Sequence, residues 1–91
     1  MAASEKSYNE MISELQKYIS TVSRSCEEMA SAGNTCVTNM DGDPSASSAN
    51  AKVQSSVGRI HESLSKAGRI VSAMQEELEE IRRAAAIAAD M

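Results

Sequence analysis

Phenylalanine and tryptophan are absent from this chain, and Tyr8 and Tyr18 are its only aromatic residues. Leu, Ile and Val are sparse, while Ala and Ser fill much of the remainder. A closed globular core usually buries larger side chains than these, so either the fold is elongated or a partner completes its core. At 91 residues the chain is one small domain, near the size at which a single core becomes marginal. A basic block is also missing. Nine Lys and Arg are scattered among thirteen acids for a net charge of -4, which excludes a nucleic-acid surface, since a phosphate backbone demands basic residues. No apolar run approaches the length of a membrane span. The opening stretch MAASEKSYNEM carries charge where a signal peptide needs apolar residues. A cytoplasmic protein is expected, any export proceeding without a cleaved signal.

Heptad periodicity fills what those absences leave open. Tyr8, Leu15, Val22, Met29 and Cys36 recur every seventh residue, and Ile12, Ile19, Cys26, Gly33 and Met40 form a second row. Met11, Tyr18 and Ala32 fall between the rows. Together they make an apolar stripe about three positions wide per heptad, the pattern of a helix facing other helices. Ser4 reads as the N-cap, and Ser7 with Glu10 has capping-box spacing. Gly33-Asn34 offers an early end to this helix. Cys36 and Met40 keep the register past the glycine, so helix 1 is expected over about 5–39.

The turn is expected at 40–43 and a second helix at about 44–90. Gly42 can take the left-handed conformation that closes a helix. Asp43 can cap the next one, and Pro44 suits a first turn, where no N–H is needed. So short a connection folds the helices back antiparallel. In the second helix Ala46, Val53, Ile60, Ala67, Met74, Ile81 and Ala88 mark one row; Val57, Leu64, Val71, Leu78 and Ala85 mark the other. Gly58 and Gly68 lie inside it, each costing roughly 1 kcal/mol against Ala, and are expected to admit a neighbouring backbone. The second helix outruns the first by on the order of ten residues at about 1.5 Å each, which leaves Ile81–Met91 without intramolecular packing.

The fold class that follows is all-α, an antiparallel two-helix hairpin pairing into a four-helix bundle. A hairpin gives each helix one neighbour, and a two-helix seam uses two positions per heptad rather than three. The excess stays wet in a monomer, whereas its burial is worth about 25 cal/mol per Å². The candidate partner interface is drawn from the rows: Tyr8, Ile12, Leu15, Ile19 and Val22 on helix 1, with Val53, Val57, Ile60, Leu64, Val71, Met74, Leu78 and Ile81 on helix 2.

The turn residues carry a resemblance. Cys36, four residues before Met40, then Gly42, Asp43 and Ala46 opening a second helix, resemble the signature of the WxG family of small type VII secretion proteins, which includes the early secreted antigenic target type. The resemblance covers nearly the whole chain in length, single hairpin and position of the turn, and Met40, Gly42, Asp43 and Pro44 are the candidate turn motif. Met40 stands where that family has Trp. The family's export signal, a Tyr followed four positions later by an acid near the end of the second helix, has no counterpart, since Ala86 precedes Asp90 at that spacing. The resemblance implies an antiparallel dimer of hairpins, as homodimer or heterodimer, handled by a membrane secretion ATPase. It also implies a member whose export signal comes from its partner, or a small targeting factor for the helical N-terminal domain of a larger secreted toxin.

Chemical sites find little support among the residues. Cys26 and Cys36 lie about 15 Å apart along one helix, whereas a disulfide needs Cα atoms within about 7 Å; both read as small packing residues, with an intermolecular disulfide as the alternative. His61 is the single histidine, one position past Ile60 on a flank. It is far in sequence from both cysteines, so no metal, cofactor or small-molecule ligand is expected and catalysis lacks a nucleophile–base pair. The acids Glu76, Glu77, Glu79 and Glu80 spread around a solvated helix face. A non-enzymatic interaction protein is the expectation. The alternatives are a structural protomer like a type III secretion needle subunit, or a generic coiled-coil adaptor.

Overall fold

The computed structural model describes residues 3–91. Two helices account for nearly all of them: α1 (Ala3–Asn39) and α2 (Pro44–Asp90), packed against each other, with no strand among the described residues. The all-helical class follows from the heptad rows, which exceed any strand length and lack period-2 alternation. α1 already includes Ser4, which the sequence offers as its N-cap, and Ser7 with Glu10 lies further inside the helix. Met1 and Ala2 are outside the described residues.

The turn forms through the chemistry its residues suggest. Gly42 has φ of +79°, the one positive value among the described residues, and a side chain there would strain the backbone. The Met40 N–H donates to the Cys36 carbonyl at 3.0 Å and the Asp43 N–H to the Met40 carbonyl at 2.9 Å. The first bond satisfies a carbonyl that the end of α1 would leave open, and the second closes the turn. The Asp43 carboxylate accepts from the Ser45 N–H at 2.8 Å, and Pro44 takes the first helical position, where its missing N–H costs nothing.

Contacts divide the chain into two compact units, each containing a length of both helices: the chain up to Ile19 with Lys66 onward, and Ser20–Ser65. In the first unit Ile12, Val71 and Leu78 are buried, and Tyr8, Leu15, Ile19 and Met74 pack on them. Burying such a side chain is worth about 1.5–3 kcal/mol, so a cluster this small leaves the unit with modest stability. Glu5 accepts from Arg82 Nε at 2.8 Å. The contact corrects the expected start of the free end: Ile81 is half-buried and Arg82 is tied to α1, so the exposed run is Arg83–Met91.

In the second unit Cys26, Ala46 and Val57 are buried, and Val22, Val37, Val53, Ile60 and Leu64 are half-buried. The α1 rows drift here. From Cys26 the inward positions run Ala30, Gly33 and Val37, while Met29, Cys36 and Met40 face outward. A straight helix turns every 3.6 residues and falls behind a strict seven-residue repeat; two successive steps of four, Val22 to Cys26 to Ala30, restore the register. The α2 rows face inward as read, from Ala46 to Ile81, but Ala85 and Ala88 are exposed.

Close approach occurs at a different glycine from those expected. Nothing lies within 4 Å of a Cβ built on Gly58 or Gly68. A Cβ on Gly33 would instead run into the side-chain oxygen of Asn50 and would meet Val53 Cγ1 at 3.4 Å.

Candidate partner interface

A helix surface becomes a binding surface when apolar side chains remain exposed beside a seam that is already filled. Several of the sequence-selected interface residues are spent on the intramolecular seam. Ile12, Val71 and Leu78 are buried in the first unit and Val57 in the second, so they are withdrawn from any partner in this conformation. Tyr8, Leu15, Ile19, Met74 and Ile81 of the first unit are half-buried, as are Val22, Val53, Ile60 and Leu64 of the second.

The first unit exposes a different set. Met11 is 55% exposed, Tyr18 69% and Ile70 57%. Met11 and Tyr18 are seven residues apart, hence on one face of α1, and Ile70 stands one turn before Met74 on α2. An open groove lined by Ser7, Tyr8, Met11 and Met74 brings the flanks of the two helices together. Side chains of this kind beside a closed seam are the third apolar position per heptad, wetted in a single chain. Met11 and Tyr18 are visible in the sequence as residues between the rows. Ile70 escapes a reading by rows because it directly precedes the seam residue Val71, and its spacing to Met74 was the signal that could have found it.

The second unit exposes Met29, Met40 and Cys36. Met29 and Cys36 are seven residues apart, hence on one face of α1, and Cys36 with Met40 of the turn lines a shallow open depression together with Ala32 and Glu28. The Cys36 thiol points at the Met40 thioether, with the sulfurs 3.8 Å apart. Cys26, by contrast, is 1% exposed. Both cysteines are free thiols; burial makes Cys26 a packing residue, and Cys36 is not one. Within the turn motif Asp43 is half-buried, whereas Met40, Gly42 and Pro44 are exposed. On α2 of this unit Ser48, Lys52, Ser55 and Arg59 line a polar depression, and Arg59 Nη2 donates to Ser55 Oγ at 3.4 Å.

His61 is exposed on α2. Among the described residues no three His, Cys, Asp or Glu side chains converge as a metal site would require, and no helix is long and apolar enough to cross a membrane. Glu76, Glu77, Glu79 and Glu80 are all exposed, as separate charges on a helix rather than a facing pair. No family model, curated protein or solved structure matches the chain.

Proposed function

We propose that this chain is a non-enzymatic helix-pairing protein of the WxG-like type VII secretion kind, which dimerises with, or targets, a helical secretion partner or the N-terminal helical domain of a secreted toxin. The observation that carries the reading is the wet apolar face of the first unit, with Met11, Tyr18 and Ile70 each more than half exposed. Exposed Leu or Met side chains are ordinary when scattered. Here Met11 lines a groove that both helices contribute to, with Tyr18 seven residues along the same face of α1 and Ile70 one turn before the groove residue Met74, which is how one helix pair offers itself to a second in a four-helix bundle. The turn supports the same reading: Gly42 in the left-handed region and Asp43 capping α2 stand where the family places its turn glycine and acidic residue. Met40, in the place of that family's Trp, is 46% exposed, so its flexible side chain is open to a partner.

Co-expression with helical proteins encoded beside it, above all the N-terminal region of a large toxin, tests the proposal. A stable complex of defined stoichiometry is expected, and substituting Met11→Glu together with Ile70→Glu should abolish it while the isolated chain keeps its helicity. A chain that stays monomeric with every such neighbour would sink the proposal.

One observation favours a second reading, a self-assembling protomer like a needle subunit. The terminal run Arg83–Met91 is exposed throughout, and a free terminal helix is what such subunits polymerise through. Concentrating the purified chain separates the two: filaments would favour the protomer, discrete dimers or heterodimers the secretion partner.

A further inference from the structure

Inside the second unit the seam carries a polar layer where the heptad rows call for apolar residues. Asn50 occupies a seam position, seven residues before Val57 and four after Ala46, both of which are buried. Its Nδ2 donates to Asn34 Oδ1 at 3.1 Å across the helix pair. Gln54, one turn further, donates through Nε2 to Asn50 Oδ1 at 3.0 Å and to the backbone carbonyl of Ala30 at 3.0 Å. The layer has a seat: Asn50 lies against Gly33, where a Cβ would collide with the Asn50 oxygen. Two amides, one facing amide, one helix carbonyl and one missing side chain therefore have to coincide.

We infer that this amide layer is a pairing lock, holding α1 of the second unit against its own α2 in one axial alignment and against exchange for a helix of another chain. The remaining seam residues are poor at that task. Alanine, valine and a small thiol pack nearly as well when one helix slides by a heptad, because apolar contacts are non-directional. Hydrogen bonds are directional. A slide by seven residues puts Asn50 opposite a side chain in place of the Gly33 notch and separates Gln54 from Ala30. A foreign apolar helix in the place of α2 supplies neither amide, and one in the place of α1 leaves Asn50 and Gln54 facing apolar side chains. The same logic lets a single buried Asn set register and partner in coiled coils, at a cost in stability. The lock concerns pairing within the chain and stands whether or not the proposed secretion partner exists.

The test uses the full chain with Asn50→Leu and Gln54→Leu combined, beside the wild type. Leucine is at least as good a helix former as Asn or Gln, and at position 50 it completes the apolar row that runs through Val57 and Leu64, so the double variant should melt at a higher temperature than the wild type. It should also lose singularity: several oligomeric species by light scattering, or doubled backbone amide resonances for residues 26–37. In the wild type the Gln54 side-chain amide protons should show nuclear Overhauser contacts to Ala30 and slowed exchange with solvent. A double variant with one species and one resonance set would overturn the lock. So would a double variant that fails to fold, since the layer would then supply stability rather than alignment. A wild type without the Gln54–Ala30 contact would overturn it as well.

Discussion

Gly33→Ala and Gly58→Ala are the same chemical change on two helices, and their effects should have opposite signs. Alanine gains roughly 1 kcal/mol over glycine inside a helix, mainly by restricting the unfolded chain. At Gly58 nothing lies within 4 Å of the added methyl, so the gain survives and the protein is stabilised by about 0.5–1 kcal/mol. At Gly33 the methyl occupies the position of the Asn50 side-chain oxygen. Asn50 then has to swing away, which breaks its bond to Asn34 and the one it accepts from Gln54. Each bond is worth about 0.5–1.5 kcal/mol net, and forcing the Asn50 side chain out of its seat adds about 1 kcal/mol or more. Against the propensity gain the balance is a loss of about 1–3 kcal/mol. In a domain this size each kcal/mol moves the melting temperature by roughly 4–8 °C. Thermal and urea melts followed by far-ultraviolet circular dichroism resolve such shifts. Equal stabilisation by the two substitutions would refute the close approach at Gly33 and, with it, the seat of the Asn50 side chain.

Other outcomes follow from burial and geometry. A thiol-reactive chromophore should label Cys36 at once and Cys26 only on unfolding; Cys26→Ser, which buries a hydroxyl, should cost about 1–3 kcal/mol, and Cys36→Ser less than about 0.5 kcal/mol. Leu78→Ala removes one of the three buried side chains of the first unit and should cost about 2–4 kcal/mol. Arg82→Ala, which opens the ion pair to Glu5, should cost less than about 1 kcal/mol because Arg82 is 48% exposed, and raising the salt concentration should erase most of the difference. Gly42→Ala, at a φ of +79°, should destabilise by about 1–2 kcal/mol, measured by the same melts.

Periodicity and local chemistry made much of this protein legible before any coordinates. Two helices, the break between Asn39 and Pro44, the capping role of Asp43 and the left-handed Gly42 all follow from residues within a few positions of one another. The α2 rows to Ile81 could be read for the same reason, because a side chain's direction on a helix depends only on its place in the turn. What three-dimensional packing alone decided was which apolar residues were consumed and which were left over. Ile12 and Leu78 belong to the seam, whereas Met11 and Ile70 do not, although all four are similar in character. The α1 drift after Cys26 was hidden because the mismatch between 3.6 and 3.5 residues per turn accumulates, and where the helix corrects it depends on the facing helix. Asn50 over Gly33 and Arg82 on Glu5 were invisible for a related reason. Each joins residues distant in sequence, and no local pattern states how far along each other two helices come to rest.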